Sequence, residues 1–258
     1  MSSVNRSKDV GRTSGSLHSR RQGRFDNRKR PFVVATFAIT VDGKVTTKNF
    51  GPVDFTSRED KLHLFRQRAS ADAVLIGHTS LERDNVRLGL PADLQELRTK
   101  HGQSRSPMRV IISNKGRIDE RLKIFQSNIS PIIVFSTKRM PQKNQKALQT
   151  KATLHLTDAK HVDLAVMLKT LRNQYKIGTL ACEGGPTLFR ALLEEDLIDQ
   201  LNLTIAPHMF GGATAPTLTG LNNKFLPASV QCSLINMRTI ENECFLIYRI
   251  KHQRGRRK

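Results

Sequence analysis

The chain has 258 residues, of which 38% are hydrophobic, and it carries 43 Lys and Arg against 22 Asp and Glu, a net charge of +21. This apolar content supports one large folded domain or two small ones, and it excludes a fibrous or wholly disordered protein. The longest apolar runs, such as residues 73–76 and 132–135, are far shorter than the roughly 20 residues of a membrane helix, which excludes a transmembrane helix.

Both ends of the chain are strongly basic. Residues 1–30 contain nine Lys and Arg and two Asp, a net charge of +7, and residues 251–258 contribute +5, which leaves +9 for residues 31–250. Both ends are poor in core-forming side chains, so we expect a disordered basic arm over 1–30 and a basic tail over 251–258. Such segments can neutralise nucleic-acid phosphates, or they can serve solubility alone. The charge of the body suits an anionic ligand as readily as RNA.

From residue 31 onward, short β-branched runs alternate with helical stretches, which is typical of a mainly parallel sheet covered by helices. The predicted strands are residues 32–39, 73–76, 108–112, 132–135, 153–156, 179–182, 201–206, 230–239 and 244–250. The predicted helices are residues 58–69, 164–171 and 187–197. A hairpin turn at 241–243 gives the sheet an antiparallel edge. No repeat or change of composition divides residues 31–250, so one α/β domain of about 220 residues is predicted.

Ligands of open α/β sheets bind beyond the carboxyl ends of the strands, so the residues that follow the predicted strands are the candidates for a site. After the first strand, Gly43 permits a tight turn that brings Asp42 and Lys44 together, although an ordinary Asp-Gly turn would have the same sequence. After the second, Gly77 allows a ligand to approach the backbone, and the Ser80 hydroxyl and Asp84 carboxylate supply polar anchors.

The most informative segment is Glu183-Gly184-Gly185-Pro186-Thr187-Leu188, in which a strand is followed by a carboxylate, two glycines and a helix start. Backbone N–H groups and the helix dipole can receive a phosphate in this arrangement, and Glu183 could transfer a proton. Close packing of the glycines and a surface position for Glu183 are the alternatives. The GxGxxG and P-loop fingerprints are absent. A fourth strand exit, residues 206–212, is interpreted as a structural glycine turn.

Three cysteines, Cys182, Cys232 and Cys244, lie far apart in the last third of the chain. They lack CxxC spacing and histidine partners, which argues against a zinc site and against a disulfide scaffold. No apolar segment suitable for secretion is present. We therefore expect no metal site and a cytoplasmic protein.

The segments 39–44, 68–77, 183–188 and 205–212, in this order, resemble the reductase domain of riboflavin biosynthesis. That domain is the C-terminal part of bifunctional deaminase/reductases and is related to dihydrofolate reductase. The resemblance covers about residues 30–249 and implies a dihydrofolate reductase-like, three-layer α/β/α fold. The zinc-binding pattern of the deaminase is missing, so only the reduction is expected.

The resemblance implies NADPH-dependent reduction of a phosphorylated ribosylaminopyrimidine to its ribitylamino product, by hydride delivery to C1 of the opened ribose. The implied catalytic residues are Lys44, Glu183 and Asp42. The implied cofactor contacts are Ala38, Ser80, Asp84, Asn114, Gly184, Gly185, Pro186, Thr187 and Leu188. The implied substrate contacts are Thr56, Arg68, Leu88 and Glu183, with Arg68 facing the substrate phosphate. A homodimer built around the late strands is also implied.

Two positions depart from the family pattern. Val86 stands where family members usually have Pro, and Pro91 stands where they place an Arg that helps to hold the substrate phosphate, with Arg87 available nearby to compensate. Loss of a bidentate Arg removes a strong contact. One alternative is therefore a related NADPH reductase acting on another pterin or pyrimidine. A less favoured one is a basic nucleic-acid-binding protein on an inactive reductase scaffold, because aromatic residues for base stacking are only 5% of the chain.

Overall fold

The computed structural model describes residues 29–46, 55–220 and 225–252. The predicted arm and tail therefore lie outside the described residues, except for Lys29, Arg30, Lys251 and His252. The strands are β1 (Phe32–Thr40), β2 (Ala73–Gly77), β3 (Met108–Ser113), β4 (Ile132–Thr137), β5 (Thr153–Thr157), β6 (Thr179–Cys182), β7 (Gln200–Ala206), β8 (Cys232–Ile240) and β9 (Glu243–Ile250). The helices are α1 (Arg58–Ser70), α2 (His78–Asp84), α3 (Ala92–Lys100), α4 (Gln142–Gln149), α5 (Leu164–Asn173) and α6 (Pro186–Glu194), with a 3₁₀ turn at Lys123–Gln126.

The strands form one sheet in the order β5-β4-β3-β2-β6-β1-β7-β9-β8. The seven strands from β5 to β7 are parallel, and β9 and β8 are antiparallel to their neighbours. This confirms the predicted α/β fold with its antiparallel C-terminal hairpin. The chain runs outward from β2 to β5 and then returns to insert β6 between β2 and β1. The carboxyl ends of β1, β2 and β6 therefore meet where the strand order reverses, the usual place for a ligand.

Helices cover both faces of the sheet, and each face has its own apolar core. On one face Val33 and Leu75 pack with Leu168 of α5 and Phe189 of α6. On the other face the core contains Val74, Ile76 and Val134 of the sheet together with Leu81 of α2 and Leu148 of α4. Because alternate side chains of the central strands are buried on opposite faces, these strands are apolar throughout, as the sequence pattern indicated. None of the helices in the described ranges combines the length and apolar character of a membrane-spanning segment.

The structure adds α2, α3 and α4, which the sequence pattern did not predict. One of them, α2, is only seven residues long, and α3 and α4 each bury a single residue, so they have no apolar periodicity. The predicted end of the last helix at 197 was wrong: α6 ends at Glu194, because Asp196 takes a left-handed φ of 57° and Leu197 N donates back to Leu192 O at 2.8 Å. The hairpin turn contains residues 241 and 242 only.

The Arg109 side chain fixes the loop between β3 and β4 from inside the protein. The residue is 1% exposed, and its guanidinium donates to the carbonyl oxygens of Ile124, Ser127 and Ser130 at 2.6, 3.0 and 2.5 Å. Burial lowers the pKa of Arg109 to about 10. The guanidinium thus ties the 3₁₀ turn to the loop residues that follow it.

We expect Arg109→Met to lower the free energy of unfolding by about 3 kcal/mol, because it leaves buried carbonyl groups without donors. Urea denaturation measures this change. Arg121→Met is the control, since the Arg121 side chain is 84% exposed and pairs with Asp119 at the surface; it should cost less than about 1 kcal/mol. Equal losses in the two variants would contradict this role of Arg109.

Candidate active site at the carboxyl edge of the sheet

Three of the predicted segments follow strands that are neighbours in the sheet. Cys182, the last residue of β6, is in register with Ala35 of β1 and Leu75 of β2. The next residue, Glu183, donates its N–H to the Leu75 carbonyl oxygen at 2.9 Å. Glu183 therefore leaves the sheet between β1 and β2, close to the start of α2, whereas β1 continues five residues beyond Ala35 before the turn that holds Asp42.

The Glu183 carboxylate forms a two-pronged ion pair with Arg68 of α1. Arg68 Nε donates to Oε1 and Arg68 Nη2 donates to Oε2, both at 2.6 Å. The two side chains are 9% and 8% exposed. The third guanidinium nitrogen, Nη1, reaches the Gly89 carbonyl oxygen at 3.3 Å. Two of the four residues predicted as substrate contacts are thus paired with each other, and α1 is tied to the end of β6.

A cleft of about 420 Å³ opens beside Arg68. Three cationic side chains line it, those of Arg68, Arg87 and Lys123, and its one lining carboxylate, Asp84, is engaged by Arg83 at 2.9 Å. The electrostatic balance of the cleft therefore favours an anion. The sequence did not predict Lys123 as a site residue. It lies in the 3₁₀ turn after β3, and no periodic pattern marks that turn.

The backbone that forms the wall of this cleft has an unusual conformation. Leu88 has a φ of 56° although it is not glycine, and its side chain is 1% exposed. Asn85 has a φ of 44°, and its Oδ1 accepts a hydrogen bond from Lys123 N at 2.9 Å. Positive φ at a branched residue costs energy and persists only where the surroundings impose it. Burial of Leu88 holds the 85–89 segment in this shape and leaves the neighbouring Arg87 side chain exposed at the cleft.

The two glycines after Glu183 allow α6 to start in close contact with α2. A Cβ on Gly185 would lie 2.6 Å from Ser80 Oγ, and a Cβ on Gly184 would lie 2.5 Å from Leu188 Cδ2. Tight packing therefore accounts for both glycines. Pro186 occupies the first position of α6 and has no N–H, and Leu188 N donates to the Gly185 carbonyl oxygen at 3.1 Å. The Thr187 amide, the helix dipole and the nearby Ser80 hydroxyl are therefore the groups that fit a cofactor phosphate.

The Asp42 carboxylate joins the turn after β1 to the loop after β7. It accepts hydrogen bonds from the Thr40 hydroxyl, from Phe210 N at 3.2 Å and from Gly211 N at 2.7 Å. The bond from Thr40 is the main cause that holds the pKa of Asp42 below its ordinary value. Because its ionised carboxylate accepts hydrogen bonds from three donors, Asp42 anchors the loop after β7 to the turn after β1.

Lys44 lies at the far end of the same turn. Gly43 has a left-handed φ of 78°, which lets Lys44 N donate to Thr40 Oγ1 at 2.9 Å. The Lys44 backbone also forms a bridge with Thr217. Within the described ranges no hydrogen bond or ion pair engages the Lys44 ammonium group. The side chain of this predicted catalytic residue is therefore available to a ligand.

Thr56 lies directly before α1, in a polar cluster that the sequence did not reveal. Its hydroxyl and that of Thr204 donate to Asp60, and burial, helped by the nearby Glu243 carboxylate, raises the pKa of Asp60. Glu243 accepts from Ser57 N at 2.8 Å, which attaches the start of α1 to β9. The cluster unites residues from distant parts of the chain, so only the folded structure shows it.

The two remaining predicted cofactor contacts, Ala38 and Asn114, lie in β1 and after β3. Ala38 of β1 is in register with Thr204 of β7. Asn114 follows β3, and its Oδ1 accepts from Val162 N at 2.9 Å, which fixes the loop before α5. The structure therefore groups Glu183 and Arg68 closely, with Ser80 and the glycines nearby, and leaves Ala38 and Asn114 on flanking strands.

Comparisons with known proteins agree with this architecture. The model of the RibD C-terminal domain family matches residues 31–246. The 2,5-diamino-6-ribosylamino-4(3H)-pyrimidinone 5′-phosphate reductase of Archaeoglobus fulgidus is 26% identical, over 73% of this chain and 86% of the relative. The reductase of the same name from Methanothermobacter thermautotrophicus is 25% identical, over 86% and 99%. The crystal structure of a pyrimidine reductase-like protein from Corynebacterium diphtheriae shares the fold, with a TM-score of 0.74 at 21% identity over 86% of this chain and 93% of that one.

The Arg68–Glu183 pair should show strong energetic coupling in a double-mutant cycle. Removing either partner alone, in Arg68→Met or Glu183→Gln, leaves a buried group unpaired and should cost about 3 kcal/mol of unfolding free energy, whereas the double variant should cost much less than the sum. The exposed pair Lys138–Asp158 is the control, with an expected coupling of about 0.5 kcal/mol. Additive losses at Arg68 and Glu183, measured by urea denaturation, would show that the pair does not organise the site.

Proposed function

The chain belongs to the RibD C-terminal domain family, and from this premise we propose that it is an NADPH-dependent reductase of riboflavin biosynthesis. Its substrate is 5-amino-6-(5-phosphoribosylamino)uracil or the 2,5-diaminopyrimidinone analogue, and its product is the ribitylamino compound. The observation that carries the proposal is the buried Arg68–Glu183 pair next to a cationic cleft, at the edge of the sheet where the strand order reverses.

The cleft supports a phosphorylated substrate. Arg87 and Lys123 line it together with Arg68, whose guanidinium is already engaged by Glu183. Arg87 and Lys123 are therefore the cations left to neutralise a substrate phosphate, and they take over the task of the Arg that Pro91 replaces. Pro91 itself is the N-cap residue of α3, and its carbonyl oxygen accepts from Gln95 N at 3.1 Å.

The nucleotide cofactor is assigned to the start of α6. The Thr187 amide in the first turn of α6 and the Ser80 hydroxyl would hold its phosphates, and the helix dipole favours negative charge there. When bound, the nicotinamide supplies the hydride. NADPH is the cofactor proposed, in keeping with the cationic character of the chain.

The protein's own residues position the sugar and manage its protons. Reduction at C1 of the opened ribose needs a hydride on carbon and a proton on the adjacent nitrogen. We assign proton transfer to Lys44 and Glu183, which follow the neighbouring strands β1 and β6. Since β1 extends five residues beyond the position in register with Cys182, the sugar would lie between the Lys44 ammonium group and the Glu183 carboxylate. Asp42 keeps the Lys44 turn in place, and orientation of the substrate supplies much of the rate enhancement.

One observation favours a second candidate within the same class. Val86 and Pro91 both lie in or next to the segment that forms the cleft, and both depart from the family pattern. A reductase of another pterin or pyrimidine could tolerate these changes. The phosphorylated and dephosphorylated forms of the substrate distinguish the two, because only the first candidate depends on the phosphate.

We assign the reductase to residues 31–250, with 1–30 and 251–258 as basic extensions, and we place the enzyme in the cytoplasm. The three cysteines are free thiols, as is usual for a reducing compartment. Burial raises the pKa of the Cys182 thiol to about 12, which keeps it protonated and unreactive.

The activity test uses purified protein, NADPH or NADH, and the ribosylaminopyrimidine phosphate. We expect NADPH oxidation that depends on the substrate. Lys44→Ala should lower kcat by about 100-fold with little change in NADPH affinity, because Lys44 acts on the sugar. Arg87→Ala should raise KM for the phosphorylated substrate by about 10-fold and leave the dephosphorylated form unaffected.

Lys100→Ala, at the exposed end of α3, is the matched control and should retain full activity. Full activity of Lys44→Ala would remove Lys44 from the mechanism. NADPH binding without oxidation would keep the cofactor site and reject the substrate.

We also propose that two copies of the chain associate through β8. This strand is the edge of the sheet, and it exposes Leu234, Ile235 and Met237 by 52, 57 and 63%. An unprotected apolar edge favours pairing with another chain.

Sedimentation equilibrium should therefore show a dimer, and Met237→Lys should weaken it by at least about 10-fold through a buried charge. Val166→Lys is the control, because Val166 is 54% exposed and belongs to α5 and not to the edge strand. A monomer at all concentrations would exclude the dimer.

A further inference from the structure

Asn85 joins two segments of backbone that lie far apart in the sequence. It is the C-cap residue of α2, where its N–H donates to the Leu81 carbonyl oxygen at 2.9 Å. Its φ of 44° and ψ of 49° are left-handed, a conformation that asparagine adopts more readily than most residues. Its Oδ1 accepts a hydrogen bond from Lys123 N at 2.9 Å, 38 positions farther along the chain. One side chain therefore connects the end of α2 to the first residue of the 3₁₀ turn.

The same two segments pack on one apolar core. Leu88 and Ile124 belong to the same buried cluster, and Val86 packs against it. From the interior, Arg109 Nη1 donates to the Ile124 carbonyl oxygen at 2.6 Å. Burial and Arg109 therefore fix the middle of the 3₁₀ turn, and the asparagine amide holds its first residue.

Arg87 and Lys123 bring positive charge from these two segments to the cleft beside Arg68. Both side chains line the cleft, and both residues are exposed. Within the described ranges neither of them takes part in an ion pair, so their charges are available to a ligand. Arg87 follows Asn85 by two positions, and Asn85 is bonded to the Lys123 backbone. The separation of the two cations therefore depends on the contact between Asn85 and Lys123.

A phosphate monoester benefits from such a fixed separation. It carries about two negative charges near neutral pH, so two cations are needed to neutralise it. Two cations on different segments bind it jointly only when the backbone holds them in place beforehand, because ordering a mobile segment costs free energy on binding. The lysine ammonium group lies at the end of a flexible stem, which adds to this cost. A hydrogen bond to the lysine backbone removes part of it.

We propose that Asn85 is a positioning residue, which holds Lys123 at the cleft so that Lys123 and Arg87 together bind the substrate phosphate. The inference rests on the proposed function, which supplies a phosphorylated substrate. It gives a structural basis to the replacement of the family's phosphate-binding Arg by Pro91. One guanidinium gives way to two cations on separate segments, and the Asn85 amide sets their geometry.

Direct contact between Asn85 and the phosphate is the alternative, because Asn85 itself lines the cleft. A positioning residue acts through Lys123, so its removal has no further effect once the Lys123 ammonium group is absent. A residue that touches the phosphate keeps its effect in the absence of Lys123. A double-mutant cycle on Asn85 and Lys123 separates the two roles.

The test measures the affinity of the full chain for ribose 5-phosphate by ³¹P NMR titration at low salt. Lys123→Met should weaken binding by about 10-fold, because a charged hydrogen bond to the phosphate is lost. Asn85→Gly removes the acceptor and still permits the left-handed φ, so it should fold normally and weaken binding by about 5-fold. The double variant should bind about 10-fold more weakly than the unaltered chain, rather than the 50-fold of additive effects.

Asn173→Gly is the matched control, because it removes an exposed amide at the end of α5 and should leave the affinity unchanged. Additive losses at Asn85 and Lys123 would show direct contact and overturn the positioning role. Unchanged affinity in Asn85→Gly would overturn it too, as would absence of ribose 5-phosphate binding by the unaltered chain.

The reductase assay separates this inference from the proposed function. Asn85→Gly should raise KM for the phosphorylated substrate by about 5-fold and leave kcat within about twofold, because the phosphate is remote from the reacting carbon. Coupled losses of ribose 5-phosphate binding in a chain that does not reduce the ribosylaminopyrimidine phosphate would reject the proposed function and keep the role of Asn85. Reduction with additive losses would do the reverse.

Discussion

A buried ion pair between Arg68 and Glu183 joins α1 to the end of β6, and the candidate site is built around it. Two charges with less than a tenth of their side-chain surface exposed remain in the interior only as partners, so the positions of the helix and of the strand are tied to each other. The insertion of β6 between β2 and β1 then determines what lies next to the pair. The Lys44 turn follows β1, and Ser80 lies in α2 directly after β2.

Much of the sheet could be predicted from the sequence, because strands buried on both faces are short, apolar and β-branched. The candidate residues at strand ends could be identified for the same reason. The contacts between these residues could not be predicted. Arg68 and Glu183 are 115 positions apart, and neither carries a signal that they pair. Lys123 was missed because a 3₁₀ turn has no periodicity, and α3 and α4 were missed because they bury one residue each. Asp42 was identified, but its bonds to Phe210 and Gly211 depend on the packing of β1 beside β7.

The two edges of the sheet have different electrostatic character. At the carboxyl edge a few charges surround a small cleft, and one carboxylate is held deep between strands, which suits the chemistry of a small phosphorylated molecule. At the amino edge the buried Asp199 carboxylate is paired with Arg30 and His252. Composition gives only a single net charge of +21. The fold shows which of these cations line the local ligand site at the carboxyl edge.

The most direct measurement of the central claim follows the hydride itself. The full chain is incubated with the ribosylaminopyrimidine phosphate and NADPH that carries deuterium at the transferable position of the nicotinamide, and the product is analysed by mass spectrometry and NMR. If the site at the carboxyl edge of the sheet catalyses the reduction, the ribitylamino product carries a single deuterium at C1 of the ribityl chain. Recovery of the substrate unchanged, or of a product without deuterium at that carbon, would contradict the account.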